Sequence, residues 1–369
     1  MSAFCLCMFT ACDSDDNNLL CYGTHTDIEG DVTAFGAVGD GKTDCSKAIN
    51  SAIASLPAEG GVLVIPEGDF VLDAPIVINK PNVTIKGLNP GMRSNIDVNG
   101  INDLLGPGGG SKLVARNAEA AIKVETGMKG VKIMNLMVSG GTEAKNIGIH
   151  FVGATDNGML SNIIGINLHT GVKIEQAKNM QIVNCWVCEL PNSIELIGGE
   201  NVVVKNCQLG AQPTGITCKV QEVNKLSFIN NQVYPDGREN LVLDACNNCV
   251  IEGNNFKSYY NGILVLNGND NTVNKNIFWL TGAVQNQLLD HGDDFGIINV
   301  KGNNNMVASN SLSCEWAYAG AVTVNAVQGT GNVFKNCFVD NLESYRVFLV
   351  NAQTEVSNCV SSDKVSIVE

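Results

Sequence analysis

The chain has 369 residues, of which 44% are hydrophobic, 16% charged and 6% aromatic, and its formal net charge at pH 7 is −14. The hydrophobic fraction excludes wholesale disorder, and the sequence lacks the run of about 18 apolar residues that a membrane-spanning helix needs. Nucleic-acid affinity is built from contacts between cations and phosphates, so this charge argues against a nucleic-acid partner. It also disfavours polyanionic glycans, and a neutral substrate or partner fits better.

The first residues are short, apolar and rich in small side chains, and they then become abruptly acidic. The segment Phe9-Thr10-Ala11-Cys12 resembles a bacterial lipoprotein cleavage box, with Cys12 as the lipidated residue, although a positive n-region is missing. The competing interpretation is a disordered N-terminus with an incidental cysteine. The lipoprotein interpretation predicts an extracytoplasmic protein, anchored by lipid at the bacterial cell surface or in the periplasm. We therefore divide the chain into a tether (1–30), a cap with the first coils (31–80) and a solenoid (81–369).

A short motif recurs along the second half of the chain: an apolar residue, two variable residues, Asn, one variable residue and another apolar residue. Its asparagines are spaced by 22 to 26 residues with one interval of 34, and they are Asn206, Asn231, Asn254, Asn276, Asn310, Asn336 and Asn358. A repeat of this length with alternating apolar residues is typical of one coil of a solenoid.

Each repeat holds two or three short strand-like runs with Gly or Asn turns between them. This pattern predicts an all-β fold, a single-stranded right-handed parallel β-helix of the pectate-lyase-like kind, and a β-sandwich or propeller is the alternative. Asn suits a ladder of turns, because it tolerates a left-handed backbone and its amide can hydrogen-bond along the stack.

The segment from Cys45 to Leu56 has apolar residues at helical spacing, and Asp44 is placed to cap its first turn. We expect a helix that covers the open end of the solenoid, where strand edges would otherwise stay unpaired. The surrounding stretch, Phe35 to Leu72, resembles the entry segment of many β-helical carbohydrate-active enzymes, including polygalacturonases and pectate-lyase-like proteins.

The 14 cysteines include two C-x-x-C pairs, Cys185/Cys188 and Cys246/Cys249. A zinc site is disfavoured, because the pairs lie two to three coils apart and bonds of about 2.3 Å cannot span that distance. Cysteines that follow a ladder asparagine fit better as small buried residues. Disulfides between coils are an alternative, and the sequence does not determine their pairing. No metal or other cofactor is expected.

Strand alternation identifies candidate residues on the outside of the solenoid. Glu195 lies between Ile194 and Leu196, which point inward, and Asn184 is an outward residue of the same coil. Alignment of neighbouring coils places Lys173 on one side of Glu195 and Thr217 on the other. A cation one coil away would favour the ionised carboxylate. The competing interpretation of Glu195 is an ordinary surface acid.

Two loops and one aromatic residue are further candidates for binding a substrate. The longest interval contains an insertion with Asp290, His291, Asp293 and Asp294, which is similar to the acidic pair and histidine of polygalacturonases but lacks their Arg-Ile-Lys run. A second loop carries Asp236 and Arg238. Trp186 could cover a sugar ring. Solvated surface loops and core packing are the competing interpretations.

From about Gly148 onward the chain resembles the inulin fructotransferase family. The resemblance rests on the order in which these segments follow one another: GIHF, NCWVCELPNSIELIG, LGAQPTGIT, VYPDGREN, ACNNCVIEGNNF, YYNGILVLNG and DDFGIINVKGNNNMVASNSL. The resemblance implies a β-helical homotrimer with sites between subunits. Such enzymes cleave the β-2,1 linkage of fructan without metal, and a neighbouring fructose hydroxyl attacks the anomeric carbon.

Two carboxylates serve this chemistry in the family, an Asp and a Glu eleven residues later, one as an acid and one as a base. The resemblance places the Glu at Glu195 and the Asp at Asn184, and an amide cannot give or take a proton at neutral pH. Another acid could substitute, for which Glu189, Asp236 and Asp293 are the candidates. Otherwise the reaction has changed, or the protein only binds glycan.

The sequence thus predicts an extracellular enzyme that acts on fructan by intramolecular fructosyl transfer. The catalytic candidates are Glu195 and Asn184, and the candidates for substrate binding are Trp186, Glu189, Asp236, Arg238, Asp293 and Asp294. One alternative is a catalytically silent glycan-binding β-helix. The other is a glycosidase or lyase on another polysaccharide, for which a Ca²⁺-binding cluster around Asp290 to Asp294 would be the marker.

Overall fold

The computed structural model describes residues 29–91, 110–141, 145–281, 294–314, 322–340, 346–360 and 365–368. Cys12 and the loop residues Asp290, His291 and Asp293 lie outside the described residues. Lipidation at Cys12 and a role for Asp293 therefore stay predictions.

The described chain forms a right-handed parallel β-solenoid of about 11 turns, which confirms the predicted fold class. All pairings between its strands are parallel and belong to one continuous sheet. Each parallel strand forms its backbone hydrogen bonds with equivalent strands of the neighbouring coils, not with other strands of its own coil. Each coil therefore depends on the coil before it for its hydrogen bonds.

The strands of the first half are β1 (Glu29–Asp31), β2 (Asp40–Asp44), β3 (Gly61–Ile65), β4 (Gly68–Leu72), β5 (Ile76–Ile78), β6 (Val83–Gly87), β7 (Ser111–Ala115), β8 (Ala120–Val124), β9 (Lys132–Gly140), β10 (Ile147–Phe151), β11 (Thr155–Asp156), β12 (Met159–Ile166), β13 (Thr170–Lys178), β14 (Gln181–Val183), β15 (Trp186–Lys205) and β16 (Gln208–Ile229). The second half continues with β17 (Gln232–Val233), β18 (Glu239–Asp244), β19 (Val250–Glu252), β20 (Asn255–Ser258), β21 (Leu264–Asn267), β22 (Thr272–Asn274), β23 (Ile277–Leu280), β24 (Ile298–Val300), β25 (Met306–Ala308), β26 (Ser311–Cys314), β27 (Val322–Ala326), β28 (Val333–Lys335), β29 (Phe338–Val339), β30 (Arg346–Asn351), β31 (Glu355–Ser357) and β32 (Val365–Val368).

Each coil of the solenoid has three faces, which are defined here by the residues of one coil. Face A contains β14, face B contains residues 186–190 of β15, and face C contains residues 192–197 of the same strand. Alternate side chains of all three faces point inward and form one continuous core that runs along the solenoid. Phenylalanines stack within it, with ring centroids of Phe256 and Phe278 5.0 Å apart. The side chains between these inward residues form the outer wall.

The predicted helix is present as α1 (Ser46–Ser55), and it buries Ile49, Ala52 and Ile53 in the same core. The Asp44 carboxylate accepts hydrogen bonds from the backbone N–H of Ser46 at 3.0 Å and from its hydroxyl at 2.6 Å. The N-cap residue is Cys45 rather than the predicted Asp44, which lies one residue earlier and still accepts a hydrogen bond from the first helical N–H. The role of α1 as the cap of an open end stays a prediction.

Buried asparagines form a hydrogen-bonded ladder in the turn between faces A and B. The Asn276 amide donates to the Ile251 carbonyl at 2.8 Å and to Asn310 Oδ1 at 3.0 Å, and its oxygen accepts from the backbone and side chain of Asn254 at 2.9 Å. Asn231 continues the ladder below Asn254. The amide stacking predicted from the repeat is therefore present.

The prediction of a left-handed backbone for these same asparagines is wrong, because the residue before each of them carries the positive φ. These residues are Asn230, Gly253, Lys275 and Ser309. Asn206, Asn336 and Asn358, in contrast, carry the positive φ themselves. The sequence motif therefore combined two neighbouring positions of the turn. In those coils the buried position belongs to the following cysteine. The nine cysteines whose side chains the structure describes are buried, and none of these nine is in a disulfide.

We predict that Asn276→Ala lowers the free energy of unfolding by roughly 3 kcal/mol, because buried donors and acceptors in three coils lose their partner. Asn276→Cys serves as the matched control, since Cys207 fills the equivalent position and bonds the Ile182 carbonyl through Sγ at 3.6 Å. It should cost about half as much. Urea unfolding measures both, and equal losses would contradict a hydrogen-bonding role.

Candidate active site

A column of polar side chains runs along the outer wall of face C. Lys123, His150, Lys173, Glu195 and Lys219 are register partners in successive coils. Because equivalent residues of stacked parallel strands lie about 4.8 Å apart, these side chains line up along the solenoid axis. The column therefore brings a carboxylate, an imidazole and several ammonium groups onto one surface.

Glu195 occupies this column between two lysines. Ile194 and Leu196 are each 1% exposed and Glu195 is outward, as the sequence predicted, with 19% of its side chain exposed. Lys219 Nζ lies 3.8 Å from Glu195 Oε1. The prediction of Lys173 as one neighbour is confirmed.

The other predicted neighbour, Thr217, is wrong: it is buried, and Lys219 takes its place. The cause is a change of register in the next coil. Leu190 pairs with Ala211, whereas Asn192 pairs with Ile216, so the loop at the corner of that coil holds extra residues. An alignment with constant spacing cannot detect this insertion, and it places the partner two residues too early.

Glu175 is a second carboxylate on the same wall, and sequence reasoning missed it. It pairs with Ile197, two residues beyond Glu195 in the neighbouring coil. With coils about 4.8 Å apart and about 3.3 Å per residue, the Cα atoms of Glu175 and Glu195 are about 8 Å apart on the diagonal. The signal was the alternation in VKIEQ, which turns both Lys173 and Glu175 outward.

Two donors contact the Glu175 carboxylate. His150 Nε2 lies 3.1 Å and Lys173 Nζ 3.3 Å from Glu175 Oε1. Burial acts to raise the pKa of Glu175, but the hydrogen bonds from His150 and Lys173 outweigh it and hold the pKa below its ordinary value. Glu175 is thus kept ionised, and the imidazole and ammonium groups fix its orientation.

Asn184 is exposed and has a left-handed backbone at the corner between faces A and B. Its backbone N–H donates to the Lys205 carbonyl at 3.1 Å. The expectation of an outward residue on the coil of Glu195 is met. All of face B lies between the two residues along this coil, so a single chain does not bring them together.

Trp186 is 5% exposed and packs with Met137, Ile164, Ile166 and Cys188 on the outer side of face B. The ring is covered by these neighbours rather than by solvent. The packing therefore does not support the predicted stacking on a sugar ring.

The corner between faces B and C carries Glu189, Asp236 and Arg238. Glu189 and Asp236 are exposed, and partial burial raises the pKa of Asp236. Asp236 lies six residues before Val242, which is in the column of Glu195 two coils away. Glu189 and Asp236 thus lie two coils apart, and both are displaced along the strand direction from Glu195.

Asp294 lies farther along the wall of face C and forms an ion pair with Arg346.

Within the described ranges no three His, Cys, Asp or Glu side chains are grouped to hold a metal ion. In the same part of the chain no helix is long and apolar enough to cross a membrane.

Comparison with known proteins identifies relatives of the whole solenoid. A family described as rhamnogalacturonase A/epimerase, pectate lyase-like, matches residues 31–237, and a right-handed β-helix region matches residues 214–367. The chain is homologous to the DFA-I-forming inulin fructotransferase of Arthrobacter globiformis, with 24% identity over 321 residues that cover 77% of this chain and 80% of the relative. The resemblance seen in the sequence is thereby confirmed.

Solved structures of DFA-IIIase from Arthrobacter chlorophenolicus A6 share the fold. The enzyme without its lid superposes with a TM-score of 0.78 at 21% identity, covering 93% of this chain and 97% of that chain. Its complex with GF2 gives a TM-score of 0.77, also at 21% identity and with the same coverage.

We predict that Lys173→Met raises the pKa of Glu175 toward its ordinary value of 4.5, because the carboxylate loses a cation. Ionised Glu175 stabilises the fold above the unfolded pKa, and this contribution is lost as the pH falls through the lower folded pKa. Carbon NMR of the carboxyl group measures the change. Lys225→Met, which removes the partner of Glu200, is the control. An unchanged pKa in Lys173→Met would contradict the assignment.

Proposed function

We propose that this chain, which belongs to the rhamnogalacturonase A/epimerase, pectate lyase-like family, is an enzyme. It cleaves β-2,1-linked fructan by intramolecular fructosyl transfer. The homology to an inulin fructotransferase supports fructan as the substrate class. The net charge of −14 favours a neutral chain over the polyanionic pectins.

The observation that carries the proposal is the diagonal pair Glu175 and Glu195 on the outer wall of face C. Glycosyl transfer needs one group that protonates the departing oxygen and one that activates the attacking oxygen, and carboxyl groups about 5–10 Å apart serve both kinds of glycosidase. The Cα separation of about 8 Å lets these flexible side chains meet that spacing. A carboxylate pair is thus available without Asn184.

The contacts favour a different role for each carboxylate. His150 and Lys173 keep Glu175 ionised, so Glu175 accepts the proton of the attacking fructose hydroxyl. Glu195 acts in its protonated form: it donates its proton to the departing oxygen, and the proton that Glu175 has taken up returns to it through solvent after the product leaves. The hydroxyl oxygen forms a bond to the anomeric carbon as the old glycosidic bond breaks, and a cyclic difructose leaves. Lys219, 3.8 Å from Glu195, holds this side chain over the wall.

We extend the proposal to the assembly and location of the protein. Face C is an outer wall, so a second subunit can border the carboxylate pair, as the family resemblance implies for a homotrimer. Lipidation of Cys12 would hold the assembly outside the cytoplasm, where a fructan polymer is accessible. Sedimentation equilibrium and mass spectrometry of the N-terminal peptide test these two points. The mass of a single chain, or an unmodified Cys12 in the bacterial envelope, would contradict them.

Incubation with inulin and with levan tests the reaction. We expect cyclic difructose from inulin, and Glu195→Gln and Glu175→Gln should each lower kcat by about 10²–10⁴, the usual contribution of a general acid or base. Glu252→Gln, which removes an exposed carboxylate paired with Lys275 on face A, should leave the rate unchanged. Full activity in either site variant would contradict the assignment of that residue.

Asn184→Asp distinguishes the face C pair from the family position. If Glu175 is the second carboxylate, restoring an acid at Asn184 changes the rate little. A rise of about 10²–10⁴ would instead show that the corner position is the working one and that this chain is a weakened or silent relative. Inulin binding without any product, in the native chain and in Asn184→Asp, would favour the glycan-binding alternative.

A further inference from the structure

A pocket with polar side chains around a largely apolar lining, to which Val327 contributes, opens on the wall of face C toward the C-terminal coils. Its volume is about 250 Å³, and it is lined by Asp294, Phe295, Asn299, Lys301, Asn325 and Gln328. We propose that this pocket is a distal subsite, which binds one neutral sugar unit of the glycan chain whose cleaved linkage lies at Glu175 and Glu195. This inference rests on the proposed function.

Two asparagines fix the backbone that forms one side of the pocket. The Asn299 amide donates to the Gly296 carbonyl at 2.7 Å, and its oxygen accepts from the Gly296 N–H at 2.8 Å. Asn325 donates to the Asp294 carbonyl at 2.6 Å. Asn299 is 2% exposed although it points away from the core, so it serves as a built part of the wall. The segment from Asp294 to Gly296 is thereby held in place before any ligand arrives.

The groups that remain open to a ligand suit sugar hydroxyls. The Asp294 carboxylate is 71% exposed while it pairs with Arg346, so it keeps lone pairs that can accept hydrogen bonds from hydroxyl groups. Gln328 and Lys301 are exposed and add an amide and an ammonium donor. Phe295 is half-buried and provides an apolar surface. A few placed polar groups around an apolar patch are typical of small-ligand sites.

The volume and the charges indicate one neutral unit. Pockets for drug-sized ligands begin at about 300 Å³, so this one fits a single sugar ring better than a disaccharide. Charges of both signs surround it, and the chain as a whole carries −14, which opposes a polyanionic glycan.

The register of the strands relates the pocket to the carboxylate pair. Asn299 and Asn325 are in the same column as Glu195, which continues through Lys219, Val242 and Val265. At about 4.8 Å per coil, Asn299 and Asn325 lie roughly 19 and 24 Å from Glu195 along the axis. A glycan chain that reaches both places must lie along the wall, so only a long substrate engages the pocket.

Calorimetric titration in a Glu195→Gln background, where turnover is slowed by about 10²–10⁴, tests the pocket. We expect Asp294→Asn to weaken the binding of inulin about tenfold, the effect of one hydrogen bond to a charged group, and to leave the binding of a short inulin oligosaccharide unchanged. In the active protein the same substitution should raise KM for inulin and leave kcat unchanged. Gln328→Ala should act in the same direction.

Glu252→Gln is the matched control, and thermal unfolding should show that Asp294→Asn stays folded, since an exposed ion pair contributes at most about 1 kcal/mol. Unchanged inulin affinity, an equal loss for short and long chains, or binding of polygalacturonate in place of inulin would overturn the pocket. If the protein cleaves inulin and Asp294→Asn has no effect, only the proposal that the pocket is a subsite is rejected. Inulin binding that depends on Asp294 without any cleavage rejects the proposed function alone.

Discussion

Hydrogen bonding between successive parallel coils is the constraint on which the rest of the structure depends. Each coil finds the partners of its backbone groups in the coils before and after it, so equivalent residues are held about 4.8 Å apart in straight columns. The buried amide ladder that includes Asn254, Asn276 and Asn310 adds side-chain hydrogen bonds to the same stack. This ladder repeats at the corner between faces A and B and fixes where each new coil begins.

The columns explain why an active surface can form on a wall of regular strands. Residues far apart in the chain, such as His150 and Lys219, come into one row because the face C strands of successive coils pair in register, although the corner loops between them differ in length. Opposite charges then meet on this wall: Glu175 contacts His150 of the neighbouring coil on the diagonal and Lys173 two residues before it on the same strand. The pairing of β13 with β15 sets the Cα spacing of the two glutamates.

The repeat length and strand alternation predicted the fold class and the outward direction of Glu195, and the helical spacing of apolar residues between Cys45 and Leu56 predicted α1. The position of the left-handed turn residue was assigned one residue late, because Asn occupies either of two adjacent positions in different coils. Lys219 and Glu175 were missed for different reasons. Extra corner residues shift the register above Glu195, and a diagonal neighbour is visible only when two coils are aligned correctly. The burial of Trp186 depends on side chains from three coils, which no local pattern encodes.

In the proposed function, the outer wall of face C binds and cleaves fructan at Glu175 and Glu195. A crystal structure of the Glu195→Gln protein with a bound inulin oligosaccharide would locate the sugar. We expect sugar density over face C, with a glycosidic oxygen within hydrogen-bond distance of residue 195 and a fructose hydroxyl beside Glu175. Sugar bound at the corner of Asn184 or over face B, with both glutamates left in solvent, would contradict it.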